Sequence, residues 1–428
     1  MAATIPATIP NEAAKRLFDA LRSAGIGHGV YKNADRIEAA LAGVGDCDLL
    51  VARSDAQRFR RVLASHGAVR AKHWRLHDNS GAGREDWFVP LGNGAALHLD
   101  CAIGLAVGPK YHKRRMAMGL GDVSEWRIVE VAGVAVPVAS PEDSARIAAL
   151  RAAPPGKTDW PLPLQAVSLA KRAGHAIGAR ATKRMAGRRL DRRALLPRGA
   201  VVALIGPDGV GKSTQAQRLR ERFGARFRTA SVYLGSNDGG WTRFRRKIGR
   251  SRKPSLGSDG SSRKSPADRS WKHATGSAMF RLFVALQRLA GLRKAQRLAR
   301  AGALVICDRW PQGIEPGILD GPALPPAPRH RLAAAISRME HRIYARMDRE
   351  RADLFVHLDC DFATSHARKP GDILQGEFAR RLELMERLRQ READRPGAVA
   401  VVDARQDRDA VTAAIADAIW QALPVGLE

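Results

Sequence analysis

A glycine-rich segment, Gly206-Pro-Asp-Gly-Val-Gly-Lys-Ser-Thr214, constrains this chain more than any other part of its sequence. It fits the pattern G-x-x-x-x-G-K-[ST] of phosphate-binding loops. The apolar run 200–205 before it predicts a buried strand, and Ala216, Leu219 and Phe223 after it recur at helical spacing. A strand, a loop and a helix in this order point backbone N–H groups and a helix N-terminus at phosphate. The sequence therefore predicts a nucleotide site.

Each position of this loop has a role in that chemistry. Lys212 is predicted to bridge the β- and γ-phosphates, and the hydroxyl of Ser213 is predicted to ligate Mg²⁺. Glycine lets the backbone curl so that its N–H groups face the phosphate oxygens. The residues predicted to hold the nucleotide are Gly206, Asp208, Gly209, Val210, Gly211, Lys212, Ser213 and Thr214.

Four continuous apolar runs indicate the fold around the loop. They cover residues 200–205, 303–307, 354–358 and 398–402, and helical patterns separate them. Continuous rather than alternating apolar runs are typical of parallel strands that are buried on both faces. Residues 199–428 are therefore predicted to form an α/β domain with a doubly wound parallel sheet, an α/β/α sandwich.

Two further motifs with charged side chains follow predicted strands of this domain. Asp308 and Arg309 come at the end of the run 303–307, where parallel sheets bind ligands. Asp308 is predicted to hold Mg²⁺, and Arg309 is predicted to clamp an acceptor phosphate. Arg368 and Lys369 lie beyond the next strand and are predicted to neutralise the transferring phosphoryl group from a mobile lid.

Residues 199–425, with GPDGVGKSTQ, CDRW, ARKP and VVDA in this order, resemble the P-loop nucleoside-monophosphate kinases, and the thymidylate kinase family is the most similar. The resemblance implies ATP, Mg²⁺ and an acceptor that is itself a phosphate monoester, such as dTMP. It places Asp208 near the acceptor's sugar, Arg309 on the acceptor phosphate, Arg368 in the lid and Val401–Ala404 near the adenine. The stretch after Trp310 differs from the family's, so the resemblance leaves the acceptor open.

Residues 10–140 contain a different chemical pattern, Gly45-Asp46-Cys47-Asp48, in which two carboxylates lie two residues apart. On a strand both would lie on one face, and Asp100 ends a neighbouring apolar run. Three such carboxylates can hold divalent ions. The pattern resembles the smaller α/β nucleotidyltransferase fold, although Tyr31-Lys32-Asn33 stands where that family carries Gly-Ser. Active nucleotidyl transfer, a binding domain and acids without a function all remain open.

The charge of the chain raises a third hypothesis. Lys and Arg number 72 and Asp and Glu 43, a formal net charge of +29, which attracts polyanions or spreads over solvated faces. Residues 141–198 are predicted to be a basic helical linker between the domain 1–140 and the kinase-like half. Residues 236–272 are predicted to be a disordered basic insertion. These segments make a nucleotide-gated protein that binds nucleic acid or an anionic membrane surface a further alternative.

Cysteine spacing and hydropathy bear on the compartment. Cys47, Cys101, Cys307 and Cys360 are scattered without C-x-x-C spacing, which favours buried free thiols in a reducing compartment. No apolar run reaches the ~18 residues that would span a bilayer. We therefore expect a cytoplasmic protein. Related kinases are often homodimers, so a homodimer is expected by analogy alone.

Overall fold

The structure is a computed structural model of the full chain. It describes residues 12–72, 83–107, 114–152, 164–166, 193–235, 271–325, 331–370, 374–392, 394 and 398–425. No helix within these ranges is long and apolar enough to cross a membrane.

The N-terminal half is built on an eight-stranded mixed sheet with the order β11-β3-β4-β5-β2-β1-β9-β8. Its strands are β1 (His28–Val30), β2 (Cys47–Val51), β3 (Val69–Lys72), β4 (Gly83–Gly92), β5 (Ala95–Ile103), β8 (Trp126–Val131), β9 (Val134–Ala139) and β11 (Ala194–Leu195). Asn93 and Gly94, both at positive φ, form the tight turn between β4 and β5, as Asn-Gly pairs commonly do.

Helices and a small second sheet complete this half. The helices are α1 (Glu12–Ser23), α2 (Ile37–Leu41), α3 (Ala56–Ser65) and α4 (Pro141–Ala152), with one-turn 3-10 helices at Ala34–Arg36, Arg53–Asp55 and Leu120–Asp122. The second sheet has the order β10-β7-β6 and consists of β6 (Leu105–Val107), β7 (Arg114–Met118) and β10 (Leu164–Ala166). Leu17, Phe18 and Leu21 of α1 are buried, as their helical spacing predicts.

The C-terminal half contains the predicted parallel sheet. Its strand order is β13-β14-β12-β15-β16, and every described pair is parallel. The strands are β12 (Val201–Ile205), β13 (Thr229–Tyr233), β14 (Leu304–Asp308), β15 (Leu354–Asp359) and β16 (Val399–Asp403). The helices are α5 (Lys212–Gly224), α6 (Trp271–Arg300), α7 (Arg331–Met347), α8 (Phe362–Arg368), α9 (Gln375–Glu392) and α10 (Arg408–Ala422). The α/β class with its parallel, doubly wound sheet is confirmed.

The two halves share one apolar core. Phe88 of β4 packs edge-on against Phe227 and also faces Trp420 of α10, with ring centroids 4.5 Å and 6.2 Å away. Arg222 of α5 donates hydrogen bonds to the carbonyls of the β4–β5 turn. The face of the parallel sheet that carries α5 and α10 is therefore covered by the N-terminal half.

The predicted linker 141–198 has described parts at both ends. Ile147 of α4 lies in an N-terminal apolar cluster with Tyr31, and β11 extends the eight-stranded sheet. Residues 153–163 and 167–192 lie outside the described residues, as does most of the predicted insertion. Its last two residues, Trp271 and Lys272, begin α6. The division into a domain, a linker and a kinase-like half stays a prediction.

All four cysteines are buried and free, as their scatter predicted. Burial raises the pKa of the Cys47 thiol to about 12, and the charge of Asp48 adds to this shift. These thiols therefore stay protonated and behave as small apolar groups.

Candidate functional site

The loop between β12 and α5 has the geometry that its glycines predict. Gly209 and Gly211 have backbone φ values of +83° and +100°, which residues with a side chain rarely adopt. A Cβ on Gly209 would lie 2.7 Å from the carbonyl oxygen of Ser365, and one on Gly206 would lie 2.8 Å from that of Leu358. Gly206 and Gly209 are therefore needed because neighbouring backbone approaches them closely.

Lys212 lies buried at the start of α5, with 6% of its surface exposed. Its Nζ donates hydrogen bonds to the carbonyl oxygens of Gly206 and Pro207 at 2.8 and 2.7 Å. Burial, together with the nearby charge of Arg309, lowers the pKa of Lys212 to about 8. The ammonium group is thus held inside the curl of the loop, where a phosphate would replace its carbonyl partners.

Ser213, at the start of α5, meets Asp308, at the end of β14. The Ser213 hydroxyl donates to Asp308 Oδ2 at 2.6 Å. Asp308 is 5% exposed, and its other oxygen, Oδ1, is buried without a hydrogen-bond partner among the described residues. A hydroxyl beside a carboxylate with a spare buried oxygen is a donor set that suits Mg²⁺, which prefers oxygen ligands.

Asp208, in the middle of the loop, gathers two arginines. Arg309 Nη2 donates to Asp208 Oδ1 at 2.8 Å, and Arg381 Nη1 donates to Oδ2 at 2.5 Å. Burial raises the pKa of Asp208, but the charges of Lys212, Arg309 and Arg381 outweigh it and hold that pKa well below its usual range. Asp208 is therefore a fixed anion that aims two guanidinium groups.

Arg309 is also held in a strained backbone conformation, with a φ of +76°. This conformation is energetically unfavourable for a non-glycine residue, and strained residues of this kind cluster at functional sites. Its guanidinium group reaches both Asp208 and Asp320, at 2.8 and 3.3 Å. The strain places the Arg309 side chain between the phosphate-binding loop and the segment after Trp310.

A cavity of about 320 Å³ opens beside Arg309 and Arg381. Asp320 lies at its wall, where Arg288 of α6 binds it at 2.6 Å and also donates to the Tyr344 hydroxyl. The lining side chains are apolar, basic and acidic in nearly equal number: Phe280, Val284, Leu319 and Ala323; Arg281, Arg288, Arg309 and Arg381; Asp208, Asp320 and Glu340; and Tyr344, with the glycines Gly317 and Gly321. This is a charged pocket of the size of a small ligand.

The segment after Trp310 forms one wall of the cavity. Gln312 is buried and donates to the carbonyls of Glu315 and Ile318, at 2.7 and 2.6 Å. Its own carbonyl accepts from the amides of Ile314 and Glu315. Trp310 packs edge-on against Phe355 in the core and does not line the cavity. The departure from the thymidylate kinase pattern therefore falls on a folded cavity wall.

Arg368, the predicted lid residue, lies at the end of α8. Its Nη2 donates to the carbonyl of Ala404, at 2.9 Å, and it does not line the cavity. Ser365 of the same helix donates to the carbonyl of Asp208 at 2.5 Å, so α8 packs directly on the phosphate-binding loop. Lys369 ends that helix as its C-cap residue. Helix α8 thus contacts the phosphate-binding loop through Ser365 and the 401–404 stretch, which the family resemblance places near adenine, through Arg368.

The remaining predicted loop residues occupy distinct positions. Val210 is buried under the loop, 3% exposed, whereas Thr214 is exposed on α5. Gln215, next in sequence, accepts from the Thr412 hydroxyl of α10 and so ties α5 to the last helix.

The three N-terminal carboxylates do meet. One oxygen each of Asp46, Asp48 and Asp100 lies within 4.8 Å of the others, since Asp48 and Asp100 are register partners on β2 and β5. Lys32 Nζ, however, lies 2.5 Å from Asp48, and Arg84 binds Asp100. Burial raises the pKa of Asp48, and its hydrogen bond from Lys32 opposes that shift.

Sequence reasoning missed the side chains that complete both clusters. Arg288, Asp320 and Arg381 lie on α6, in the loop after β14 and on α9, away from every motif. Lys32 and Arg84 likewise carry no pattern of their own. Only the folded chain brings them within ion-pair distance of the predicted residues.

No protein-family model matches the chain. The "Uncharacterized ATP-binding protein YghR" of Escherichia coli (strain K12) is 31% identical over 175 residues, which cover 40% of this chain and 69% of YghR. YghR of a second E. coli strain, O6:H1, gives the same values. The "Uncharacterized ATP-binding protein YghS" of strain K12 is 30% identical over 180 residues, which cover 40% of this chain and 73% of YghS.

Proposed function

Because the chain belongs to the family of the ATP-binding proteins YghR and YghS, we propose that it binds Mg·ATP and transfers the γ-phosphoryl group to a small acceptor that is itself a phosphate monoester. The names of the relatives support the nucleotide. The acceptor rests on the cavity, which adjoins the phosphate-binding loop through Asp208 and exposes Arg309 and Arg381 to a ligand.

The chain's own groups have complementary tasks in this reaction. Lys212 and the amides of the loop hold the β- and γ-phosphates, and Ser213 and Asp308 hold Mg²⁺, which would neutralise charge on those phosphates. Arg309 and Arg381 orient an acceptor phosphate in the cavity. An oxygen of that phosphate attacks the γ-phosphorus, and the bond to the β–γ bridging oxygen breaks, leaving ADP. Because the attacking phosphate oxygen is already ionised, no general base is needed.

The cavity wall supports a phosphate monoester that also carries polar and apolar groups. Asp320 places a carboxylate beside the arginines, and a carboxylate accepts hydrogen bonds from hydroxyl or amino groups of a ligand. We include nucleoside monophosphates such as dTMP and other phosphorylated metabolites in this class, because the aliphatic lining from Val284 and Leu319 suits either a base or a sugar.

A coupled ADP-release assay with Mg·ATP and a panel of phosphate monoesters tests the proposal. Arg381→Met is expected to lower acceptor-dependent turnover by about 10²-fold, because it removes one charge-assisted contact to the acceptor. Arg387→Met, on an exposed face of the same helix, is the matched control and should keep wild-type turnover. Lys212→Ala serves as the blank. ATP binding without ADP release for any acceptor would refute phosphoryl transfer.

Nucleotidyl transfer by the N-terminal domain is the second candidate. The convergence of Asp46, Asp48 and Asp100 favours it, whereas Lys32 and Arg84 compete with metal ions for two of these carboxylates. Pyrophosphate release from nucleoside triphosphates, measured in a Lys212→Ala background, tests it. Loss of that release in Asp48→Asn would support nucleotidyl transfer, and no release in the background variant itself would count against it.

A further inference from the structure

The outer surface of α6 and α7 has an unusual charge distribution. The 30 residues of α6 include no aspartate or glutamate, and α7 has a single acid, Glu340. Glu340 is 1% exposed and faces inward, where it accepts from the amides of Ala323 and Leu324 at 3.0 and 2.9 Å. The solvent side of both helices therefore has no carboxylate of its own.

Cations line this solvent side. On α6 they are Arg293, Lys294, Arg297 and Arg300, all exposed. On α7 they are Arg331, Arg338, Arg342 and Arg346, also exposed and close to the i, i+4 spacing of one helical face. No carboxylate of the described ranges forms an ion pair with any of the eight. We call these eight residues the α6–α7 basic face.

The two helices present these cations on one surface. Residues of α6 and α7, including Leu292 and Met347, pack in the same apolar cluster on one side of the parallel sheet, and the helices lie against each other. The N-terminal half covers the opposite side, over α5 and α10. At 1.5 Å per residue, the cations of α6, at 293–300, span about 10 Å, and those of α7, at 331–346, span about 23 Å.

Exposed aliphatic side chains accompany the cations. Met279 and Leu286 of α6 are 52% and 49% exposed, and Leu332 and Met339 of α7 are 49% and 53% exposed. No tryptophan, tyrosine or phenylalanine is exposed among the described residues of either helix, so a surface for stacking bases is lacking. Cations with interspersed aliphatic groups match a lipid headgroup layer, where arginines meet phosphates and the aliphatic groups enter the acyl boundary.

We propose that the α6–α7 basic face binds an anionic lipid bilayer and holds the protein on that surface. A second copy of this chain fits less well, because symmetric pairing of this face would set cations against cations with no carboxylate to compensate. The proposal is independent of the acceptor site, since none of the eight cations lines the cavity.

Flotation of the full-length protein with lipid vesicles tests the proposal. We expect binding to phosphatidylcholine vesicles that contain about 30% phosphatidylglycerol and no binding to pure phosphatidylcholine. Reversing three charges, Arg338→Glu, Arg342→Glu and Arg346→Glu, should lower the apparent partition coefficient by about tenfold or more. Far-UV circular dichroism and Mg·ADP binding verify that this variant is folded.

The matched control reverses three exposed cations of the N-terminal half, Lys15→Glu, Arg16→Glu and Arg61→Glu. It changes the net charge equally, and its partition coefficient should stay within about twofold of wild type. A further variant, Leu286→Gln with Met339→Gln, should weaken vesicle binding most at high salt, where screening leaves the aliphatic contribution.

Several results would overturn the proposal. They are no binding of the wild type to anionic vesicles, equal loss in both charge-reversal variants, and full binding in the α7 variant. Binding of duplex DNA that the α7 variant abolishes, without vesicle binding, would assign the face to nucleic acid. A dimer in light scattering that the α7 variant dissociates would assign it to a second copy.

Discussion

Nucleotide binding should take up a proton at Lys212. The pKa of this side chain in the free protein is about 8, because burial and the charge of Arg309 disfavour the ammonium form. A phosphate beside Nζ stabilises that form and raises the pKa again. As the pH rises, nucleotide binding should therefore take up more protons, and the affinity for the nucleotide should fall.

The size of the effect follows from the titration of one group. With the free pKa at about 8 and the bound pKa well above 9, binding takes up about 0.1 proton near pH 7, about 0.5 near pH 8 and about 0.9 near pH 9. The same linkage weakens the Kd by about tenfold between about pH 7 and about pH 9, because protonated Lys212 becomes scarce in the free protein.

Isothermal titration calorimetry of Mg·ADP measures this uptake. In two buffers of different ionisation enthalpy, the difference in observed heat gives the number of protons bound. Lys212→Arg, which stays charged throughout, should take up none. Arg309→Gln removes the neighbouring cation and should shift the midpoint of the uptake to higher pH. Equal uptake near pH 8 in wild type and Lys212→Arg, or an unmoved midpoint in Arg309→Gln, would refute the reasoning.

Two further substitutions test the packing that holds the site. Gly209→Ala should lower the free energy of unfolding by about 1–3 kcal/mol, because the new Cβ would meet the carbonyl of Ser365 and because the φ of this residue is strained for alanine. Gly376→Ala, the control with open space around it, should change the free energy of unfolding by less than about 1 kcal/mol. Equal losses of the two variants in urea titrations would contradict this. Phe88→Ala should cost about 3–5 kcal/mol and separate the unfolding of the two halves in circular dichroism, since Phe88 packs on Phe227 across them; an unchanged single transition would show that the halves do not depend on this core.

The nucleotide site and its fold are local enough to be found in the sequence. The loop 206–214 needs glycine at two positive-φ positions and a lysine at the helix start, and these residues are contiguous. The strand before Asp308 is a continuous apolar run because it is buried on both faces. Chemistry that depends on neighbours in the chain leaves a pattern, so Lys212, Ser213 and Asp308 could be selected as candidates from it.

The cavity beside the phosphate-binding loop and the ion pairs of the N-terminal acids depended on the tertiary structure. Arg381 reaches Asp208 from 173 residues away, and Arg288 meets Asp320 from a different helix. Lys32 and Arg84 form ion pairs with Asp48 and Asp100 of the predicted metal cluster. Such contacts depend on the packing of whole helices and sheets. Residues that meet in this way have no fixed spacing along the sequence, so no pattern reveals them. The sequence alone identified the phosphate-binding loop, and only the fold decided which side chains surround it.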